Sequence, residues 1–363
     1  MDRFVECFGG LPDPRSDNCR HDLTELLFIA LLASLCGATS CSDMEEFGCS
    51  KEPLLREFLT LEHGIPSHDT FSRVFRMLDP QAFEAAFRCF TAGFAEGAKI
   101  TAAKGVVAVD GKALRRAYER GQSFMPRVMV SAWASRTRMT LASTLAPGGN
   151  EAEAALQLIG LLQLKGCVVT ADALHCHRAM AEAITARDGD YVLAVKANQS
   201  ALLRDAEAAL AMAPQSKPAT ISQKAHDREE TRTAVVVPAT HMAFRHDFPG
   251  LAAVARLESR RGKDAPVTRF FLLSRRFPAE KLIEIVRSHW SIENTLHWTL
   301  DVALDEDLAR SRKDNAPGNL AVLRRLALNI ARAHPDTKTS LRRKLLRAGW
   351  DDHFLFELIR HMR

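Results

Sequence analysis

Two aspartates follow short apolar runs in the middle of the chain. Asp110 comes after residues 106–109 in VVAVDGK, and Asp172 comes after residues 167–171 in CVVTADALH. Such runs are typical of buried strands, so we expect both aspartates at strand ends, on the sheet edge where α/β proteins place their sites. Carboxylates on neighbouring strands repel each other unless a cation lies between them, and Mg²⁺ prefers such oxygen ligands. Either aspartate alone is equally typical of a helix cap or a turn.

A third carboxylate lies in the segment HWSIENTLHW, residues 289–298. A long helix is predicted over 279–301, in which Glu293 shares a face with His289 and His297 at four-residue spacing. Glu293 can therefore complete a metal site begun by the two strands, and paired ions catalyse phosphoryl transfer. A zinc site made by the two histidines and Glu293 is an alternative, although the HExxH spacing is absent. The acidic residues at 301–307 are rival carboxylates.

The elements that must position these residues form an α/β pattern after Gly105. The sequence predicts strands over 106–109, 127–133, 139–145, 167–171 and 191–195, and helices over 151–164 and 178–187. This order predicts a mixed sheet covered by helices. Between 198 and 278 the pattern is less regular, with strands predicted at 233–237, 252–257 and 268–273. We interpret this segment as a β-rich insertion.

The first hundred residues are predicted to be helical. Asp22 is a suitable N-cap for an apolar helix over 23–38, which is too short to span a bilayer and contains Glu25. Ser67 is a suitable N-cap for a helix over 68–78 that carries Arg73 and Arg76. A helix-turn-helix that binds DNA through these arginines fits the pattern, as does a helical bundle without such a role. No membrane segment is expected.

Charge and cysteine usage narrow the class of protein. Residues 310–363 contain 13 Lys/Arg and 5 Asp/Glu, so this tail carries 13 − 5 = +8 of a total formal charge of +5. A basic tail favours nucleic acid as partner, and we expect Arg342, Arg343 and Lys344 to contact its backbone, although solvated basic helices are also common. The eight cysteines include no CxxC pair. They are interpreted as reduced thiols of a cytoplasmic protein.

The longest motifs resemble a known family. RSHWSIENTLHWTLDV at 287–302 and DEDLARSR at 305–312 resemble the C-terminal signature of the ISAs, or H-repeat-associated, group of insertion-sequence transposases. VAVDGKALR at 107–115 and VVTADALHCHR at 168–178 resemble its first two acid motifs, and GDYVLAVKANQ at 189–199 the segment after them. DPRSDNCRHDL at 13–23 and GIPSHDTFSRVF at 64–75 resemble its N-terminal associated domain. The resemblance covers nearly the whole chain.

The resemblance implies an RNase H-like α/β fold with a DDE triad at Asp110, Asp172 and Glu293. The β-rich insertion at about 198–278 accounts for the long interval between the second and third acids. The implied domains are an N-terminal helical transposase-associated domain, the RNase H-like catalytic domain and a basic C-terminal helical tail, at 1–98, 99–310 and 311–363.

The implied activity is that of a DNA transposase. Two Mg²⁺ or Mn²⁺ ions on the triad would support cleavage at the terminal inverted repeats of an insertion sequence and strand transfer into target DNA, by a homodimer in the DNA complex. An RNase H-like endonuclease without strand transfer and a catalytically silent DNA-binding relic of a mobile element are the alternatives. Related transposases often carry Arg and Lys where this chain has His289 and Leu300. Lys112, His297 and Arg310 are therefore candidate phosphate contacts.

Overall fold

The sheet at the centre of the molecule contains nine described strands. A computed structural model describes residues 2–17, 19–97, 105–118, 126–213, 216–225 and 228–360. The strands run in the order β3-β2-β1-β4-β5-β9-β8-β7-β6. Their bounds are β1 Val106–Leu114, β2 Arg127–Ala134, β3 Met139–Leu145, β4 Val168–Ala171, β5 Asp190–Val195, β6 Ala219–Ala225, β7 Arg228–Pro238, β8 Ala253–Arg261 and β9 Val267–Leu273.

The strand order confirms the mixed α/β class and the RNase H-like arrangement. The first three strands pair antiparallel, whereas β1, β4 and β5 are parallel neighbours. The insertion does not form a separate sheet, because β9 pairs with β5 and the remaining strands continue antiparallel from it. The expected insertion strands are confirmed. The polar edge strand β6 was not expected, since its sequence ATISQKA lacks an apolar run.

Fifteen helices cover the described part of the chain. Their bounds are α1 Asp2–Phe8, α2 Leu23–Leu35, α3 Cys41–Ser50, α4 Glu52–Leu55, α5 His68–Met77, α6 Pro80–Gly97, α7 Glu151–Leu161, α8 Arg178–Thr185, α9 Ser200–Ala211, α10 Thr240–His246, α11 Ala279–His289, α12 Trp298–Leu304, α13 Ala316–Ala333, α14 Leu341–Trp350 and α15 Asp352–Ile359. The expected caps are confirmed. Asp22 accepts from the backbone N–H of Glu25, and Ser67 from that of Thr70.

One large hydrophobic core joins the N-terminal helices, α12, α13 and one face of the sheet. The apolar helix α2 is buried in this core, as expected. No helix in the described part of the chain has the length and apolar character needed to cross a bilayer. All of residues 316–331 in α13 are buried, against α2, α6 and β3. Helix α13 packs on both the N-terminal helices and the sheet, so one core crosses the proposed boundaries at 98 and 310. These domain boundaries remain predictions.

Two expectations about single residues were wrong. Cys7 and Cys89 form a disulfide between α1 and α6, with 5.7 Å between their Cα atoms, so the thiols are not all reduced. Pairing of residues 82 positions apart has no local pattern in a sequence. In the basic tail, Lys344 is only 2% exposed. Its amine donates to the carbonyls of Ala331 and His334, at 3.0 and 3.3 Å, so it is not available for DNA.

Candidate active site

The first two acids are brought together by strand register. The parallel pairing of β1 with β4 places Val109 opposite Ala171, so Asp110 and Asp172 follow side by side. Asp172 is also held by the backbone N–H of Leu174, which donates to its carboxylate at 2.9 Å. The expectation that both aspartates end their strands holds only for Asp172. β1 continues to Leu114 because it pairs with β2 as far as Arg127, so Asp110 lies in mid-strand.

Glu293 lies on a widened helical turn and not on one uninterrupted helix. Residues Ile292–His297 form a π turn between α11 and α12, in which the backbone N–H of Trp298 donates to the carbonyl of Glu293, five residues earlier. The carbonyl of Thr295, in the same turn, accepts from the guanidinium of Arg332, at 3.1 Å, and from the hydroxyl of Thr299. Trp133 on β2 donates to the hydroxyl of Ser291 at 3.0 Å and anchors the start of the turn. Such single π turns are frequent at functional sites.

Apolar residues hold this helix against the core. Ile292 and Leu296, together with Leu300 and Leu304 further along, are fully buried. The expectation that Ile292 and Leu296 fix the helix is confirmed. Glu293 remains on the exposed side of the turn, facing the two aspartates.

The three carboxylates lie close enough for their charges to affect the ionisation of Asp110 and Glu293. Burial raises the pKa of Asp110 to about 7, and the negative charges of Glu293 and Asp172 add to this shift. Burial also raises the pKa of Glu293, again with a contribution from Asp172, while the positive charge of Arg269 opposes it. Among the described residues, none of the three forms an ion pair with Lys or Arg. Within the described part of the chain, their mutual repulsion is therefore not relieved by an ion pair, and Arg269 opposes it only through its charge.

A fourth carboxylate, Glu151, belongs to the same cluster. Burial and the charge of Asp172 raise its pKa, and Glu151 in turn contributes to the raised pKa of Asp110. Glu151 begins α7, and its carboxylate lies against Gly111 of β1, where any Cβ would overlap it. The sequence around Glu151 predicts no role for this residue. The glycine directly after Asp110 was the available indication that another side chain must approach β1 here.

Two neutral imidazoles line the other side of the cluster. Burial lowers the pKa of His289 to about 4 and that of His297 to about 3. His289 makes a hydrogen bond of 3.1 Å with the hydroxyl of Thr170, and Nδ1 of His297 lies 3.7 Å from an Asp110 oxygen. The π turn disrupts the regular four-residue spacing on which the zinc alternative depended. In the described part of the chain, these histidines and Glu293 do not form a metal-ligand group.

The donor set fits a hard divalent cation. Carboxylate oxygens are the ligands that Mg²⁺ and Mn²⁺ prefer, and a cation would relieve the repulsion that raises the pKa of Asp110. No three of the described side chains already converge on one point as coordination requires, so binding must draw the carboxylates closer. Asp110, Asp172 and Glu293 would hold the metal, with Glu151 adjacent.

Lys112 lies beside the cluster but is engaged by other carboxylates. Its amine is 2.8 Å from Asp301 and 2.7 Å from Asp307, and its side chain is 7% exposed. Glu306, which lies 3.8 Å from Lys112, is also paired with the buried Arg325 at 2.9 Å. Asp301, a rival third acid in the sequence, is therefore part of an ion-pair network that joins β1 to α12 and α13.

The remaining candidate DNA contacts lie on other elements than the acids. Arg73 is exposed on α5, and Arg76 on the same helix forms an ion pair with Asp314 at 2.7 Å. Arg310 is exposed in the segment between α12 and α13. Their DNA contacts remain predictions.

Two family models of known proteins match most of the chain. Residues 5–91 match a family model described as DDE_Tnp_1-associated, and residues 101–330 match the model of the transposase DDE domain. The second match contains Asp110, Asp172 and Glu293.

Curated relatives match along the full chain. The putative protein YbfL of Escherichia coli K12 is 31% identical over 99% of this chain and 98% of its own length. The H repeat-associated putative transposase YhhI of the same strain is 30% identical, with the same coverage.

Among solved structures, a piggyBac transposase synaptic complex with hairpin DNA matches at 13% identity and a TM-score of 0.45, over 99% of this chain and 77% of that one. That likeness is too weak to support an argument about function. The two family models and the full-length relatives together show that the chain belongs to the transposases with a DDE domain.

Proposed function

We propose that Asp110, Asp172 and Glu293 are the catalytic triad of this transposase and hold two Mg²⁺ or Mn²⁺ ions. The observation that carries the proposal is that three carboxylates, from two strands and a π turn, lie close enough to interact through their charges, without a Lys or Arg ion-pair partner among the described residues. A structural ion-pair cluster would contain the compensating cations, as the neighbouring Lys112 network does.

Each part of the chain contributes to the chemistry in a specific way. When bound, the ions would activate the attacking oxygen and stabilise the leaving oxygen of an in-line phosphoryl transfer. The parallel register of β1 and β4 sets the spacing of Asp110 and Asp172, and the π turn presents Glu293 to both. The imidazole of His297 is neutral, so it can accept a hydrogen bond and does not compete with a metal ion for the carboxylates as a cation would.

The proposed substrate and assembly rest on the chain's membership of the family. We propose cleavage at the terminal inverted repeats of an insertion sequence, followed by attack of the freed 3′-OH on target DNA. Arg73, Arg76 and Arg310 are proposed contacts to DNA, whereas Lys112 requires release from its carboxylates before it can contact phosphate. A homodimer in the DNA complex would bring two ends together in the cytoplasm.

The test is a strand-transfer assay with the element's own ends. Purified protein with Mg²⁺ should cut labelled end DNA and join it to a supercoiled plasmid. Cutting without joining would favour the endonuclease alternative. Binding without cutting would favour the silent relic. Asp110→Asn and Asp172→Asn should each abolish both reactions while end binding persists.

A further inference from the structure

A basic cleft opens beside the third acid. It has a volume of about 670 Å³ and lies between the insertion strands β7–β9 and helix α11. We call it the insertion cleft and define it by Arg232, Arg261, Arg269, Arg287, Trp290 and Asn294, all of which line it. None of these residues has a role in the proposed chemistry.

Strand register places three of the arginines on one face of the sheet. Arg261 of β8 is opposite Glu230 of β7, and Arg269 of β9 is opposite Leu257 of β8. Since cross-strand partners share a face, these side chains and Arg232 all point towards α11. Arg287, on α11 itself, closes the cleft from the other side.

The cleft is lined by four arginines and by two acids, Glu230 and Asp264, so its lining carries a formal charge of 4 − 2 = +2. Glu230 pairs with both Arg232 and Arg261, at 2.7 and 3.2 Å. In the part of the chain that the structure describes, Arg269 and Arg287 have no ion-pair partner. Burial lowers the pKa of Arg232, and although Glu230 opposes this, the charges of Arg287 and Arg261 add to it. Four guanidiniums in one cleft repel each other, and a bound anion would remove that repulsion.

The inner end of the cleft reaches the candidate active site. The guanidinium of Arg269 lies over the ring of Trp290, 5.0 Å from its centroid. Asn294, which also lines the cleft, is the residue directly after Glu293 on the π turn. A ligand that fills the cleft would therefore continue towards the catalytic carboxylates.

The dimensions favour a polymer over a single phosphate. Arg261 and Leu257, the residue opposite Arg269, are four residues apart on β8, which is roughly 14 Å at about 3.4 Å per residue. A nucleic acid strand carries one negative charge per about 3.4 Å of axis, so several phosphates span this distance. Guanidinium groups also bind phosphate oxygens through paired hydrogen bonds.

We propose that the insertion cleft binds the sugar-phosphate backbone of the DNA strand that passes Glu293. This inference rests on the proposed function for its choice of DNA, but its test requires no catalysis. The free energy comes from phosphate contacts at Arg269 and Arg287, which lack carboxylate partners among the described residues.

The primary experiment measures DNA affinity against salt in EDTA, with a duplex oligonucleotide of arbitrary sequence. Each phosphate neutralised contributes about −0.9 to the slope of log K against log salt. The double variant Arg269→Ala/Arg287→Ala should flatten the slope by about two. The matched control is Arg256→Ala/Arg260→Ala, which removes the same charge from the opposite face of β8, where Val254 packs in the core under α9 and α10. A wild-type slope for the cleft variant, or equal flattening in the control, would overturn the proposal.

A second measurement localises the binding. Tryptophan emission should change on DNA addition in the wild type and much less in Trp290→Phe, because a phosphate at Arg269 displaces its guanidinium from the Trp290 ring. Identical changes in the two proteins would count against the cleft. If the slope depends on Arg269 and Arg287 but the wild type never cleaves DNA, the cleft is correct and the proposed function fails. If cleavage depends on the triad but the salt slope is unchanged in Arg269→Ala/Arg287→Ala, the proposed function is correct and the cleft proposal fails.

Discussion

The Nδ1 atom of His297 lies 3.7 Å from a carboxylate oxygen of Asp110. At neutral pH this contact is not an ion pair, because burial lowers the pKa of His297 to about 3 and raises that of Asp110 to about 7. His297 is therefore neutral at that pH, and Asp110 is about half protonated in the metal-free protein. Binding of a divalent cation must displace a proton from Asp110.

The first prediction concerns the pH dependence of metal-free stability. The folded chain keeps Asp110 protonated up to about pH 7, whereas the ordinary value is 3.8, so the folded state binds the extra proton between these values. Its contribution to the free energy of unfolding therefore falls as pH rises through this window, by about 1.4 kcal/mol per unit at most. Asp110→Asn should become progressively more stable than wild type from about pH 4 to about pH 7 in EDTA, and the difference should level off above that.

The measurement is the difference in melting temperature between Asp110→Asn and wild type at each pH. His289 and His297 act with the opposite sign, because their lowered pKa values destabilise the fold as pH falls below about 6.5. That contribution is largely common to both proteins and cancels. A difference in melting temperature that stays constant across the range would show that Asp110 is ionised without metal.

The second prediction separates Glu293 from Asp301. Glu293→Gln removes one charge from an uncompensated cluster, so melting without metal should rise slightly, while cleavage should fall by at least about 10²–10³-fold. Asp301→Asn instead removes a partner of the buried Lys112 and should lower the melting temperature. Both should bind end DNA. Near-normal cleavage by Glu293→Gln would refute the third acid, and zinc in the purified protein with equal loss in His289→Ala and His297→Ala would favour the zinc alternative.

The third prediction concerns the carboxylate of Glu151. Its removal in Glu151→Gln should weaken Mn²⁺ binding by roughly tenfold or more, the range for residues that support metal ligands, and should raise metal-free stability. Glu153→Gln is the matched control, since Glu153 is exposed in the same first turn of α7. Calorimetric titration with Mn²⁺ measures the affinity of each variant, and thermal melting in EDTA measures its metal-free stability. Equal affinity in the two variants would place Glu151 outside the metal site.

The fourth prediction divides the basic tail. Arg342 and Arg343 are exposed on α14, so replacing both by alanine should flatten the salt dependence of DNA binding by up to about two. Lys344→Met should leave that slope unchanged and lower stability by about 1–3 kcal/mol, because two backbone carbonyls lose their donor. Salt titrations and thermal melts of both variants check this. A flattened slope in Lys344→Met with unchanged melting would contradict the structure.

Local patterns in the sequence were sufficient for the elements that carry the acids. The apolar runs before Asp110 and Asp172 predict buried strands because strand burial on both faces requires continuous apolar residues. The spacing of Ile292 and Leu296 predicts a helix with Glu293 on its other side. The caps at Asp22 and Ser67 are equally local, since each depends on a hydrogen bond to a residue three positions away.

Other features of the site were decided only by the tertiary structure, because they depend on contacts between residues distant in sequence. The length of β1 beyond Asp110 follows from its pairing with β2, and the π turn at Glu293 from the hydrogen bonds made by Trp133 and Arg332. Nothing in the sequence around Lys112 and Lys344 distinguishes them from exposed lysines. Their burial follows from three carboxylates in one case and two carbonyls in the other, all supplied by other elements. The insertion cleft arises in the same way, because the register of β7, β8 and β9 brings arginines of separate strands together opposite α11.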